Sequence, residues 1–391
     1  MTPLRIAERL GEDFLAQALH RDYHHQPGAV DASGLLSWDD LNHILATHRL
    51  QPPRLRLTRG GETLPALAIS APEVTRRHVV WDRLHPAAFH ARLADGASIA
   101  LDSADELHRP LGEAAEELER VFRTRWQANV YASWTATEGF GCHWDTHDVV
   151  VVQIDGAKRW RIYGPTRPYP LHRDTAAPEP PTGEPVADLV LRPGDLLYVP
   201  RGWWHSVSAD QGVRSLHVTF GAQPHTSTDL LHFVCDQLVA HEAFRADLPL
   251  LGPPEEQAAV VAGIGMLVAE QLADPGLIAR YRAHQDGQAL GRMSPSLPYL
   301  DGVPADPRLR VRMTTARAVL TLDDDTAHLA AASHVYEFAP AAGPALQMLV
   351  GGGEHTLGEL AAAAGVGVND IAGLVQELVE GQAVAVTGTS R

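Results

Sequence analysis

The sequence predicts an α+β protein in which an antiparallel β-barrel or jelly roll is followed by a helical region and a small winged-helix-like unit. Three features predict it. Between Ala128 and Phe220, short β-rich segments succeed one another, most of them bounded by Gly, Pro or Asp, which is the texture of an antiparallel barrel. From Leu230 to His284 the apolar residues return to helical spacing. After Arg308 a strand-rich start leads to two short helices and a closing strand.

The elements follow in chain order. Residues 1–100 form a mixed α/β segment flanking the barrel. In it Ser37 is a candidate N-cap for a helix beginning at Trp38, while Leu55-Arg-Leu-Thr-Arg-Gly-Gly and Ala97-Ser-Ile-Ala-Leu read as strands. The stretch 101–225 is the candidate catalytic barrel. It opens with a helix over Glu113–Arg125 and continues through strands in Ala128–Trp134, His143–Ile154, Arg159–Tyr163, Asp188–Leu191, Asp195–Val199 and Ser215–Phe220. Asp155-Gly156 has the composition of a tight hairpin turn. The span 165–185 holds seven prolines and no periodic pattern, so it is expected to be a long irregular loop bordering the site.

Residues 226–290 form a helical region, with segments over Leu230–Val239 and Glu255–Tyr281, the second broken near Pro275-Gly276. Their apolar surface exceeds what one helical hairpin buries, which points to a homodimer. Residues 291–391 end in Thr356–Gly365, Asn369–Glu380 and Ala383–Val386, the order of a winged helix. The would-be recognition helix, Asp370–Glu380, carries three carboxylates and no Lys or Arg, whereas phosphate contact and base reading need donors. A structural or protein-contact role is expected of it.

Composition narrows the function classes. A hydrophobic fraction of 45% and a charged fraction of 20% are ordinary for a globular protein. The longest apolar runs fall short of the roughly 18 residues of a membrane helix, and the first ten residues lack the apolar core of a secretory signal. A cytoplasmic location is therefore expected. The two cysteines, Cys142 and Cys235, form no disulfide framework or thiolate metal pattern, and strand alternation assigns Cys142 to packing. A net charge of −16 opposes a nucleic-acid partner and suits a basic protein or peptide substrate.

The chemistry concentrates in one region. Lys158 is the only lysine in the chain, every other basic residue being arginine. It lies fifteen positions after His143, which with Asp145 makes a His-x-Asp pair. Two residues apart on a strand, these side chains share a face and can reach one ion. His205, in Val199-Pro-Arg-Gly-Trp-Trp-His, supplies a second imidazole. Two imidazoles and a carboxylate are the facial triad that binds Fe(II) and leaves coordination positions open. Around them, His147 and Asp148 are read either as tuning the site or as turn residues. Trp203 and Trp204 either wall the pocket or pack the barrel. His217 is read as an internal barrel residue and Trp160 as core.

From Asn129-Val-Tyr through Thr219, about a quarter of the chain, the sequence resembles the JmjC-type oxygenases of the cupin superfamily, in particular the ribosomal oxygenase group. The downstream order of helical region and winged helix is similar too. The resemblance implies a double-stranded β-helix and an enzyme that uses Fe(II), 2-oxoglutarate and O2. It implies that His143, Asp145 and His205 are the iron ligands and that Lys158 binds the distal carboxylate of 2-oxoglutarate. It further places Asn129 and Thr219 near the cosubstrate and Tyr131 on the substrate side. The expected reaction is hydroxylation of an amino-acid side chain, with Arg or His of a ribosomal protein as the first substrate. Tailoring of a ribosomally made natural-product peptide, lysine demethylation, and a non-catalytic cupin with a regulatory winged helix are the alternatives.

Overall fold

The computed structural model describes residues 5–171 and 179–389. The chain divides into two compact units, Met1–Gln223 and Pro224–Arg391. The first holds thirteen strands among its described residues: β1 (His24–Gln26), β2 (Leu55–Arg59), β3 (Glu62–Thr63), β4 (Ser70–Val74), β5 (Val80–Leu84), β6 (Ser98–Leu101), β7 (Trp126–Ser133), β8 (Val149–Gly156), β9 (Lys158–Pro165), β10 (Ala187–Leu191), β11 (Leu196–Val199), β12 (Trp203–Ala209) and β13 (Ser215–Ala222). An eight-stranded sheet of order β1-β11-β8-β13-β7-β6-β2-β3 faces a three-stranded sheet of order β10-β9-β12, and β4 and β5 form a separate hairpin. The two facing sheets make the jelly roll.

The valine run at the start of β8 shows why the sheets stack. Val150 and Val152 are buried in the large core shared with the flanking helices, while Val149 and Val151 are buried with Trp160, Ile162, Leu191, Leu197 and Val199 between the sheets. A strand covered on both faces reads as a continuous apolar run rather than an alternating one. Alternation does appear on β7 and β13. Ala128, Val130 and Ala132, with Leu216, Val218 and Phe220, face the helical layer. Their intervening partners, Asn129, Tyr131, His217 and Thr219, line the interior.

Several expected elements are present. Ser37 caps the helix Trp38–Thr47 in a reciprocal capping box with Asp40. The helix expected from Glu113 begins earlier, at Arg109, because Pro110 suits the first turn, and it ends at Phe122 where Arg123 turns left-handed with φ 54°. Residues 165–171 and 179–185 are the described ends of the proline-rich span, and its centre, 172–178, lies outside the described residues.

Three expectations are corrected. The strand expected from His143 starts only at Val149. His143 instead forms an isolated bridge to His205, donating to its carbonyl at 3.0 Å and accepting from its amide at 2.8 Å. Because this segment is not a strand, alternation does not govern Cys142, which is exposed rather than packed. Asp155-Gly156 is not a hairpin turn either, since β8 and β9 belong to different sheets. Gly156 has φ +70°, and a Cβ there would sit 1.7 Å from the Arg214 carbonyl oxygen. It is the corner at which the chain leaves one sheet for the other.

The second unit carries helices Ser227–Leu238, Pro254–Leu272 and Leu277–Gly287, then three-stranded sheets and the helices Gly343–Gly351, Leu357–Ala364 and Val368–Glu380. Thr356 caps Leu357–Ala364 through a capping box with Glu359, and Gly365, at φ 65°, ends it. Helix Pro254–Leu272 buries none of its residues. Among the described residues no single helix is long and apolar enough to cross a membrane.

Candidate metal centre and dicarboxylate pocket

The site is built by three pieces of chain that meet between the sheets. His205 lies on β12, a strand that sequence reasoning missed because it begins at two tryptophans straight after a Pro-Arg-Gly turn. His143 is held against it by the two backbone bonds of their bridge, and Asp145 is held by the Gly202 amide, which donates to its carbonyl at 2.9 Å. One ligand atom from each of His143, Asp145 and His205 lies within 4.8 Å of the others. Asp145 Oδ2 stands 3.6 Å from His205 Nε2.

Both imidazoles are oriented from behind. His143 Nδ1–H donates to the Gly141 carbonyl at 3.0 Å, and His205 Nδ1–H donates to the Trp203 carbonyl at 2.9 Å. A proton fixed on Nδ1 leaves the Nε2 lone pair free for a metal. Trp160 stacks on His205, with ring centroids 5.4 Å apart. Burial, with help from His143, pushes the His205 imidazolium down to about 4 despite Asp145, so the ring is neutral and ready to ligate. Burial would raise Asp145, yet the imidazoles of His205, His143 and His147 outweigh it and hold the carboxyl below its ordinary value. Asp145 and His205 thus pair a carboxylate with a neutral ring, the ionisation state that metal ligation needs.

The loop behind the ligands is anchored by Asp148. Its carboxylate accepts from Tyr198 Oη at 2.7 Å, from the Arg201 amide at 2.8 Å and from His20 Nδ1–H at 2.6 Å. Asp148 is therefore a loop anchor outside the cavity. His147 lines the cavity, its ring lying against Gly221, where a Cβ would come within 2.6 Å. Trp204 packs with its Nε1–H on Thr166 Oγ1 at 2.8 Å, and Trp203 joins the inter-sheet core.

A cavity of about 330 Å³ opens beside the triad, lined by His143, Asp145, Lys158, Tyr131, Asn129 and Thr219 among others. Every sequence-predicted site residue except His205 thus borders it, and His205 stands behind it within reach of the same ion. Lys158 is 5% exposed, and its Nζ donates to Ser133 Oγ at 2.6 Å. Burial pulls its pKa down from 10.5 to about 7. No carboxylate of a described residue pairs with it. Asn129 faces Thr219 across the β7–β13 pair, and its Oδ1 accepts from the Ser103 amide and from Gln127 Nε2. Tyr131 is half-buried, its hydroxyl pKa pushed up by desolvation and then by Asp145 and Asp102.

Sequence reasoning missed Ser133, Arg56 and Asp102. Arg56 donates twice to Asp102, at 2.9 and 2.8 Å, on the cavity wall. A polar residue between the fully buried Leu55 and Leu57 was the available signal for Arg56. Ser133 continues the inward alternation of Asn129 and Tyr131.

Fold and site together describe a jelly-roll barrel with a two-histidine, one-carboxylate cluster between its sheets. Residues 108–230 match the JmjC domain family. Over part of its length the chain is similar to ribosomal oxygenases and their relatives. It is 34% identical over 168 residues to the bifunctional lysine-specific demethylase and histidyl-hydroxylase NO66 of Drosophila persimilis, covering 43% of this chain and 24% of that protein. It is 34% identical over 156 residues to human ribosomal oxygenase 1, covering 39% and 24%. The chain spans about a quarter of the length of these curated relatives. Among solved structures, YcfD, a ribosomal oxygenase from Escherichia coli, superposes with a TM-score of 0.62 at 16% identity over 96% of this chain and 97% of that one. The same protein in complex with cobalt and 2-oxoglutarate gives a TM-score of 0.61 at 16% identity, covering 96% and 98%. The barrel and the unit that follows it share that fold.

Proposed function

We propose that the protein is an Fe(II)- and 2-oxoglutarate-dependent oxygenase that hydroxylates an amino-acid side chain in a protein or peptide. The observation that carries this reading is the pairing of two features in one cavity. His143, Asp145 and His205 converge with both Nε2 lone pairs turned from their backbone partners, and a buried lysine that pairs with no carboxylate among the described residues stands on the same cavity wall. Two imidazoles and one carboxylate suit Fe(II). A small cavity with an ammonium on its wall suits a dicarboxylate that chelates the metal by its other end. When bound, the iron and 2-oxoglutarate supply O2 activation coupled to oxidative decarboxylation.

The residues of the chain do the rest. His143, Asp145 and His205 hold the metal on one face, leaving the opposite positions open. Lys158 neutralises the distal carboxylate, with Ser133 orienting its ammonium. Asn129 and Thr219 border the cosubstrate, and Tyr131 lines the substrate side. Trp160, stacked behind His205, excludes water. The names of these relatives support a protein substrate, and a basic segment of a ribosomal protein fits a chain of net charge −16. The region 101–225 is proposed as the catalytic barrel. The region 226–290 is proposed to dimerise with a second copy through helix Pro254–Leu272, where Val261 and Met266 stand 67% and 71% exposed. The region 291–391 is proposed as a winged helix with a protein-contact role, and the cytoplasm as the location.

Anaerobic titration of the Fe(II)-loaded protein with 2-oxoglutarate, followed by the charge-transfer band of the chelate, tests the cofactor chemistry. Absence of the band in protein that holds iron would overturn it. Incubation with ribosomal proteins, read by mass for one added oxygen atom and by assay for formaldehyde, then separates hydroxylation from demethylation.

A further inference from the structure

The cavity contains a polar side chain that the proposed chemistry does not yet use. His217 is 4% exposed and borders the cavity together with Lys158. Its ring is clamped, stacked on Tyr131 with centroids 5.0 Å apart and 14° between planes, and set edge-on to Trp160 at 5.9 Å. Its Nδ1 is buried with no hydrogen-bond partner among the described residues. A buried nitrogen without a partner carries a desolvation cost that a phenylalanine in the same stack would avoid, so packing alone does not account for a histidine here.

Its place in the sheet says what it faces. On β13 the inward positions are Ser215, His217 and Thr219, opposite Ser133, Tyr131 and Asn129 of β7. Ser133 holds the Lys158 ammonium, so His217 stands one inward position from the lysine. It is joined to the metal side through Trp160, which stacks on His205. A dicarboxylate that reaches from the triad to Lys158 passes the His217 ring. Burial first, and then the Lys158 ammonium, keep that ring uncharged. With Nδ1 sealed in the wall and no acceptor there among the described residues, the proton belongs on Nε2, the nitrogen left to the cavity.

Resting on the function proposed above, we infer that His217 is a cosubstrate-binding residue, its Nε2–H donating to the distal carboxylate that Lys158 neutralises. The ring supplies direction where the ammonium supplies charge, so the pocket prefers a dicarboxylate over a monocarboxylate 2-oxo acid of equal length by two contacts rather than one.

The test uses Fe(II)-loaded protein without O2 and compares wild type, His217→Phe and His217→Gln by the charge-transfer band, with 2-oxoglutarate and with 2-oxovalerate, which lacks the distal carboxylate. His217→Phe keeps the stack and loses the donor. It should weaken 2-oxoglutarate about tenfold while iron retention and 2-oxovalerate binding stay at wild-type values. His217→Gln, which restores a donor, should recover part of the loss. Wild-type affinity for 2-oxoglutarate in His217→Phe would overturn the inference, as would equal weakening of both acids. A wild-type protein that holds iron yet gives no band with 2-oxoglutarate would instead sink the proposed function itself, and this inference with it.

Discussion

At the residue scale, the two halves of the site separate by mutation. His143→Ala or Asp145→Ala should abolish turnover by losing iron, visible as metal content after gel filtration. Lys158→Ala should retain iron and weaken 2-oxoglutarate by at least a hundredfold, because it leaves a buried carboxylate unpaired. The lysine also sets a pH dependence. Its pKa, about 7, lies below the ordinary 10.5, so without a bound anion the protein carries the full cost of a buried charge below pH 7 and sheds it as pH rises toward 10.5. A bound dicarboxylate restores the ammonium. Binding should therefore take up a proton above pH 7, with affinity falling about tenfold per pH unit there; calorimetry in buffers of different ionisation enthalpy measures it. These residues were legible in the sequence because their chemistry resides in identity and short spacing: a His-x-Asp pair, a distant histidine and a single lysine. Ser133, Arg56 and Asp102 were not, because what makes them part of the site is the register of β2, β6 and β7 across the sheet, which no local pattern carries.

At the scale of elements, Gly156 is the position on which the change of sheets depends. Gly156→Ala meets both a left-handed φ and the Arg214 carbonyl at 1.7 Å, and should cost about 2–4 kcal/mol, read as a lower denaturation midpoint with an unchanged slope. The Asp-Gly pair announced the positive φ correctly and the partner strand wrongly. Turn chemistry encodes a local backbone shape, whereas pairing is decided by which face of β8 is buried against which sheet. The ligand segment shows the same limit. His143 and Asp145 converge as expected, but not through strand alternation: the geometry comes from one bridge to His205, the Gly202 amide and the Asp148 anchor. The helices were legible where caps and apolar stripes agreed, as at Ser37 and Thr356.

At the scale of the whole molecule, the unburied helix Pro254–Leu272 tests the proposed dimer. The double substitution Val261→Glu, Met266→Glu should shift sedimentation from dimer to monomer while leaving the helical signal in circular dichroism intact; a monomeric wild type would refute the dimer outright. The solitary lysine has a practical consequence. An acylating reagent that seeks neutral amines finds a single side-chain target in all 391 residues, and that target, with a pKa near 7, is already nucleophilic at neutral pH. Occupancy of the pocket, by whatever acid the cell supplies, can be counted as the fraction of molecules that resist modification, so the chain carries its own footprinting probe.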